Sequence, residues 1–258
     1  MLPALSRIAA LAFMVTLTTS FSPTVVVPNF PDLTIRTRES FGSNISIRMT
    51  WYFKGPRQRT EQIVESSPLK TTVIITQCDQ GSYFILNDQR KTYLTNPVDQ
   101  MAGKDSRKLL ARSDDTVDVV VTTDSIDTGE RRRVGSYEAR RVKTTTTIEG
   151  NEEAGVLANK IETDGWYIDL PGWNCRDDSG RGQGMIMAGT GRRMPHYVFR
   201  QLGTARRGFP IDETTVTTQA GSSTTNRNEL LEISEGPLDP ALFEVPADYT
   251  RVTHPAEP

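Results

Sequence analysis

Ile45-Ser46-Ile47-Arg48-Met49-Thr50-Trp51-Tyr52-Phe53 places an apolar side chain at every second position. A period of two is the repeat of a pleated strand, whose successive side chains point to opposite faces. One face of this segment therefore meets an apolar interior. Upstream, residues 33–41 run into Gly42-Ser43-Asn44, a hairpin-like arrangement. Downstream, Gly55-Pro56 marks a turn and residues 57–64 resume a strand. Residues 71–77, 82–87 and 91–94 continue as short strands, punctuated by Asp79-Gln80-Gly81 and Asn87-Asp88. Residues 117–123, 137–148, 160–170, 197–202, 214–218 and 229–234 complete the strand pattern. Many short strands with regular turn signals predict a mainly β (α+β) protein, an antiparallel meander or partial barrel, and argue against βαβ units.

One helix is expected. Asn96 suits an N-cap, Pro97 the first helical position, and Asp99 complements the positive end of the helix dipole. Val98, Met101, Leu109 and Leu110 form a patchy apolar stripe that Gly103 weakens. Such a helix is a lid across the sheet or a connector. Residues 179–191 are Gly-rich, interrupted by Met185-Ile186-Met187, and read as a mobile loop.

Residues 1–20 read as a secretory signal. Arg7 is a thin positive region, residues 8–17 are an apolar core, and Thr18 and Ser20 are small enough to flank a cleavage site. The apolar run falls short of the ~20 residues that span a bilayer. Residues 21–32, with Pro23, Pro28 and Pro31, are extended linker; residues 33–252 form one β-rich domain; residues 253–258 are a disordered tail. Export, most simply to a periplasm and alternatively to the medium, permits a disulfide between the two cysteines, Cys78 and Cys175. Closing so long a loop is worth roughly 4–5 kcal/mol in the chain-entropy model. The alternative is two unpaired thiols, because spacing says nothing of their Cα separation.

A formal charge of −2 gives no global field that would recruit nucleic acid. Arginines cluster locally at Arg131–Arg133, Arg140-Arg141, Arg192-Arg193 and Arg206-Arg207. They read either as a rim for anionic headgroups or as solvated strand faces and loops. The inventory for catalysis is poor. Of two histidines, His254 sits in the tail, and His196 lacks a Gly-x-Ser-x-Gly elbow. Histidine and cysteine clusters for a transition metal are absent from the sequence. Asp177-Asp178-Ser179-Gly180 lacks the alternating carboxylates of a calcium loop, and Gly182-Gln183-Gly184 reaches Met187 where a dinucleotide fingerprint needs glycine. Asp114-Asp115 is too common a pairing to mark a glycosidase. No cofactor is implied, and a hydrolase using His196 or an acidic pair is the minority reading.

Broad apolar faces remain. A single sheet must cover such a face with a helix, a second layer or a ligand. Met49, Trp51, Phe53, Tyr83, Trp166 and Ile168 are the expected lining of that hollow, with Leu170 beside them. The hollow is either a filled core or a groove for acyl chains. At roughly 0.8 kcal/mol per buried methylene, a long acyl chain gains at most on the order of 10 kcal/mol before binding costs.

Four segments together resemble the LolA-like superfamily of periplasmic lipoprotein carriers and their relatives. Asp88-Gln89-Arg90-Lys91-Thr92-Tyr93 resembles a polar turn leading into a Lys-Thr-Tyr strand, and Gly135-Ser136-Tyr137-Glu138-Ala139-Arg140 a Gly-x-x-x-Ala strand entry. Gly208-Phe209-Pro210-Ile211 resembles the family's Gly-aromatic-Pro turn. Leu238-Asp239-Pro240-Ala241-Leu242-Phe243-Glu244-Val245-Pro246-Ala247-Asp248-Tyr249 resembles its closing signature, the most specific of the four. The resemblance implies an open antiparallel half-barrel with a helical cover and, in carrier members, acyl chains in the hollow. The expected function is therefore an exported, non-enzymatic protein that binds lipid or another apolar molecule. The alternative is an envelope scaffold with a filled core and a protein partner at its sheet edge. The closing signature itself reads as a latch: Asp239 caps a turn begun by Pro240, and Leu242 and Phe243 point inward.

Overall fold

The computed structural model describes residues 31–42, 45–65, 71–97, 115–170, 173 and 191–253. These form one large open sheet that does not close into a barrel. Its strands are β1 (Leu33–Phe41), β2 (Ile45–Lys54), β3 (Arg57–Val64), β4 (Thr71–Gln77), β5 (Ser82–Asn87), β6 (Thr92–Pro97) and β7 (Thr116–Val134). The others are β8 (Tyr137–Ile148), β9 (Asn159–Ile168), β10 (Met194–Leu202), β11 (Phe209–Gln219), β12 (Ser222–Glu235) and β13 (Thr250–Arg251). Their spatial order is β10-β7-β8-β9-β11-β12-β1-β2-β3-β4-β5-β6-β13. Two meanders, β1 to β6 and β7 to β9, thus meet through the β11–β12 hairpin. Pairing is antiparallel except at the two ends, where β10 lies parallel to β7 and β13 parallel to β6.

Two elements differ from the sequence reading. β6 runs through Pro97, with Asn96 opposite Tyr83 and Pro97 opposite Ser82, so these residues end a strand and do not begin a helix. Proline is tolerated there because a terminal strand position can forgo an N–H. The rest of the expected helix, from Val98 to Leu110, lies outside the described residues. β7 continues past Thr123 to Val134, pairing its charged second half with β8 through a bulge between Asp127 and Arg131. Asp, Gly, Glu and Arg conceal this strand from any hydrophobic pattern.

Register decides which face each residue occupies, because directly paired residues share a side. Ile35, Trp51, Thr60, Ile74, Ile85 and Leu94 form one row across β1 to β6, and Thr34, Tyr52, Arg59, Ile75 and Phe84 lie on the opposite face. The largest core gathers on the Trp51 face: Leu33, Ile35, Ala139, Ile168, Leu170, Phe209 and Ile211, with Trp51, Phe53 and Trp173 packed against them. A second core, Val73, Ile75 and Leu86 with Phe84, Tyr93, Val245 and Tyr249, forms on the opposite face. The third joins Val119, Val121 and Tyr197 to Ala154 and Val156 of the segment after β8.

The opposite-face core is covered by the chain's own last described residues. After β12, Gly236 N–H and Leu238 N–H donate to the Asp32 carbonyl (3.1 Å) and carboxylate (2.8 Å), buckling the segment to the start of β1. Pro240–Phe243 then makes one 3-10 turn, its first N–H groups capped by Asp239, whose side chain accepts from Ala241 N–H at 2.9 Å. Phe243 is fully buried, and its carbonyl accepts from Gln77 Nε2 at 2.9 Å. Arg59 donates to the Leu242 carbonyl at 3.2 Å. The segment ends as β13 beside β6, with Tyr249 donating to Asp88 and Lys91 over its ring at 4.8 Å. Most of the closing signature is therefore a strap, as its residue types predict.

Candidate functional site

On the Trp51 face, register brings four of the six expected lining residues together. Met49 is paired with Thr37 and Gln62, Trp51 with Ile35 and Thr60, and Phe53 with Leu33 and Gln58. The Phe53 row runs on through Thr76 to Tyr83. Ile168 and Trp166 on β9 pack with the core around Phe209. Register does not place them on the Trp51 face, because Trp166 pairs through Asp212 and Glu229 with Arg38 on the other side of β1. Ile168 is fully buried; Trp166 is partly exposed under the Arg132 guanidinium, 4.4 Å from its ring centroid.

Beside β1, β2 and β11 this face is filled by side chains. The Phe209 ring stands edge-on to Trp51 (5.4 Å, 89°), Phe53 (5.8 Å, 89°) and Trp173 (5.6 Å, 86°). Trp51 and Phe53 lie parallel at 6.4 Å. Such edge-to-face packing suits the ring quadrupoles. Within this knot the Trp51 Nε1–H is buried and has no acceptor among the described residues. A buried donor left unpaired costs about 1–3 kcal/mol, so the position is chemically unfinished.

Farther along the same row the filling changes. Ile74, Ile85 and Leu94 on β4, β5 and β6 are partly buried and belong to none of the three cores of the described residues. They offer an apolar strip beginning two strands from the unpaired indole. Thr76, Tyr83 and Asn96 border the strip with hydroxyl and amide groups.

On the other side of the knot the same face carries acid. Glu39 is opposite Ile47 on β2 and Asn228 on β12, and Asn228 is opposite Glu213 on β11. Burial, and then the Glu213 charge, push the Glu39 carboxyl above the usual range. Tyr167 donates to Glu213, and burial raises its phenol strongly, with the Glu213 charge adding to the effect. Gly165 makes this geometry possible: a Cβ there would stand 2.7 Å from the Tyr167 hydroxyl. The Oδ1 atoms of Asn226 and Asn228 are buried nearby without donors among the described residues. Sequence reasoning missed these groups, although counting by twos from Leu33 through Thr37 puts Glu39 on the inward face.

The remaining candidates fall elsewhere. His196 Nδ1 lies 2.8 Å from Asp118 Oδ1, its cross-strand neighbour in the β10–β7 ladder. The arginine clusters are largely engaged along strand faces: Arg131 with Asp127, Arg132 with Asp212, Arg140 with Asp169, and Arg141 with Asp164 and Glu130. Cys78 follows β4, and no free cysteine occurs among the described residues. Cys175, and with it the expected disulfide, lies outside them, as do Asp114, residues 177–187 and the proposed signal. Among the described residues no three His, Cys, Asp or Glu side chains converge as a metal site, and no helix is long and apolar enough to cross a membrane.

A family model described as "Domain of unknown function (DUF4412)" matches residues 34–151. That span contains β1 through β8 and stops short of β9 to β13 and the strap. No curated protein matches the chain.

Proposed function

We propose that this is an exported, non-enzymatic protein of LolA-like architecture that holds an acyl chain or similar amphiphile against the Trp51 face of its sheet. The observation that carries the reading is the unpaired Trp51 Nε1–H, set in the same row as Ile74, Ile85 and Leu94. An ester or carboxyl oxygen supplies the missing acceptor, and the adjoining chain lies along the aliphatic strip. The Phe209 knot restricts the ligand to the β3–β6 side. Of the expected lining residues, Tyr83 borders the chain, Trp51 anchors its polar end, and Met49 flanks the anchor; Phe53, Trp166 and Ile168 support the knot. The Cys78–Cys175 disulfide belongs to the same proposal, and thiol labelling of denatured, unreduced protein tests it: full labelling rules it out.

Native mass spectrometry after detergent-free purification tests the ligand. The expected spectrum contains an amphiphile adduct that Trp51→Phe depletes without unfolding the protein. A bare mass for the wild type contradicts the reading. It would favour a second one, an envelope scaffold with an envelope protein as partner, for which the side-chain-filled knot is the supporting observation. A hydrolase rests on the His196–Asp118 pair alone. It requires an activity in a broad hydrolase screen that His196→Ala abolishes.

A further inference from the structure

One ladder joins the two halves of the sheet. The strand order passes from β12 to β1, so among the described residues the β1–β6 meander is hydrogen-bonded to the strands from β7 to β12 along this pair alone. Two irregularities flank the join. β1 slips against β12 between Arg36 and Thr37, and β11 slips against β9 between Pro210 and Asp212. Bulges of this kind bend a sheet locally. Between the two bends, on the Trp51 face, runs the row Val64, Ile47, Glu39, Asn228, Glu213 and Gly165.

Within that row the protons are one short. Asn228 Nδ2 donates to the Pro210 carbonyl at 3.3 Å, while its Oδ1 is buried with no donor among the described residues. Turning the amide over does not repair this, because it sets Oδ1 against the Pro210 carbonyl. Directly across the ladder stands Glu39, partly buried, whose ionised carboxyl offers only acceptors. Two acceptors therefore face each other until Glu39 is protonated, when its O–H becomes the donor that Asn228 lacks. Asn226 supplies the contrast. Its Oδ1 is also buried without a donor among the described residues, but it stands opposite Phe41, which has no proton to give.

Among the described residues no cation is paired with Glu39. On the same face β2 presents Ile45, Ile47 and Met49, and β12 presents Asn226, Asn228 and Leu230. β11 contributes Glu213; β9 contributes Tyr167, which donates to Glu213 and interacts with Arg207. Arg38, next in sequence, turns to the opposite face and pairs with Glu229 and Glu65. Burial, and then the Glu213 charge, both favour the neutral Glu39 carboxyl. We propose that Glu39 is a proton-operated clasp on the β12–β1 join. Protonated, it donates to Asn228 Oδ1 and holds the two halves of the sheet together. Ionised, it repels that oxygen and the Glu213 carboxylate, and the ladder loosens. The join is therefore firm in acid and looser at neutral pH, the reverse of a salt-bridged seam.

Amide hydrogen exchange read by NMR, corrected for the intrinsic pH dependence of exchange, tests the clasp. In the wild type, protection of the β1 and β12 amides nearest Glu39 is expected to fall about 5-fold or more between about pH 4 and pH 8, the effect of one lost hydrogen bond on a local opening. The β3–β4 ladder should keep its protection, and the Asn228 side-chain amide resonances should move over the same pH range as the fall. Glu39→Gln supplies a permanent N–H donor and is expected to hold the acid level of protection throughout. Glu213→Gln leaves Glu39 ionisable and should move the midpoint of the fall toward acid. Wild-type protection that ignores pH, or a fall that persists in Glu39→Gln, overturns the proposal. Should Glu39→Gln fail to fold, an Asn228 amide that does not respond to the wild-type titration overturns it equally. None of these signals reports on a ligand at Trp51, so the two readings fail separately.

Discussion

β4 carries two apolar rows back to back, and they are finished by different means. Val73 and Ile75 are 1% and 0% exposed beneath the strap of residues 236–251. Ile74, between them in sequence and on the other face, is only partly buried and joins none of the three cores. A strand apolar on both faces needs two covers, and the described chain brings its own cover to only one. The contrast assigns the strap to stability and, among the described residues, leaves the Ile74 row as the place where the proposed ligand would lie.

The strongest way to break the strapped side is Phe243→Ala. A fully buried phenylalanine replaced by alanine costs about 3–5 kcal/mol in transfer and cavity terms. Thermal denaturation should show a large fall in Tm, with hydrogen exchange rising in β4 to β6 before β8 and β9. An unchanged melting curve would remove the latch from the account.

The strap's other anchor is Asp32. Burial by itself raises its carboxyl, but the Leu238 N–H and the Lys54 ammonium more than reverse this and hold it below the usual range. Its stabilising contribution is thus present above the ordinary carboxyl pKa of about 3.9 and is lost as pH falls through the lower folded-state value. Asp32→Asn is expected to cost about 1.5–3 kcal/mol at neutral pH, the range for hydrogen bonds to a charged group. The penalty should vanish in strong acid; a penalty independent of pH would mean that the ion pair is not its source.

At the far end of the strap, burial and then the hydrogen bond to Asp88 push the Tyr249 phenol up to about 12. The neutral phenol's contribution is fully present below its ordinary pKa of about 10 and disappears as pH rises through the folded value. Tyr249→Phe should therefore cost on the order of 1 kcal/mol at neutral pH and remove this alkaline loss. Phenolate absorbance in the wild type should show one tyrosine titrating with the unfolding transition.

On the other face the smallest effect has the opposite sign. The raised Glu39 carboxyl contributes stability below its unfolded pKa, and that contribution is lost as pH rises through the folded value. Glu39→Gln should accordingly raise Tm at pH 7, with the gain fading in acid. A variant that destabilises at neutral pH would show that the Glu39 charge is held by a favourable partner.

The strand pattern was legible because residues 45–53 and their neighbours alternate cleanly between core and water. So was the strap, whose Asp-Pro start and buried phenylalanine carry their geometry in their residue types. The second half of β7 was not legible, since its ladder is built on arginine and acid pairs that no hydrophobic period detects. Asn96-Pro97 misled because cap and proline signals are local, whereas the pairing of β6 with Tyr83 and Ser82 is not. Lining residues could be assigned to a face by counting twos. That Phe209 fills the space beside Trp51 could not be foreseen, because it depends on a strand more than 150 positions away.

The central claim, that the Trp51 face takes a ligand while the opposite face is sealed by the chain itself, meets its most direct test in fluorescence. Of the three tryptophans, Trp166 and Trp173 would be replaced by phenylalanine, leaving Trp51 as the sole indole. Titration with a bromine-labelled fatty acyl ester is predicted to quench its emission saturably, and Ile85→Glu on the aliphatic strip should abolish the effect. Emission from Trp51 that ignores the ester throughout the titration, in a protein whose fold is intact, would contradict the account.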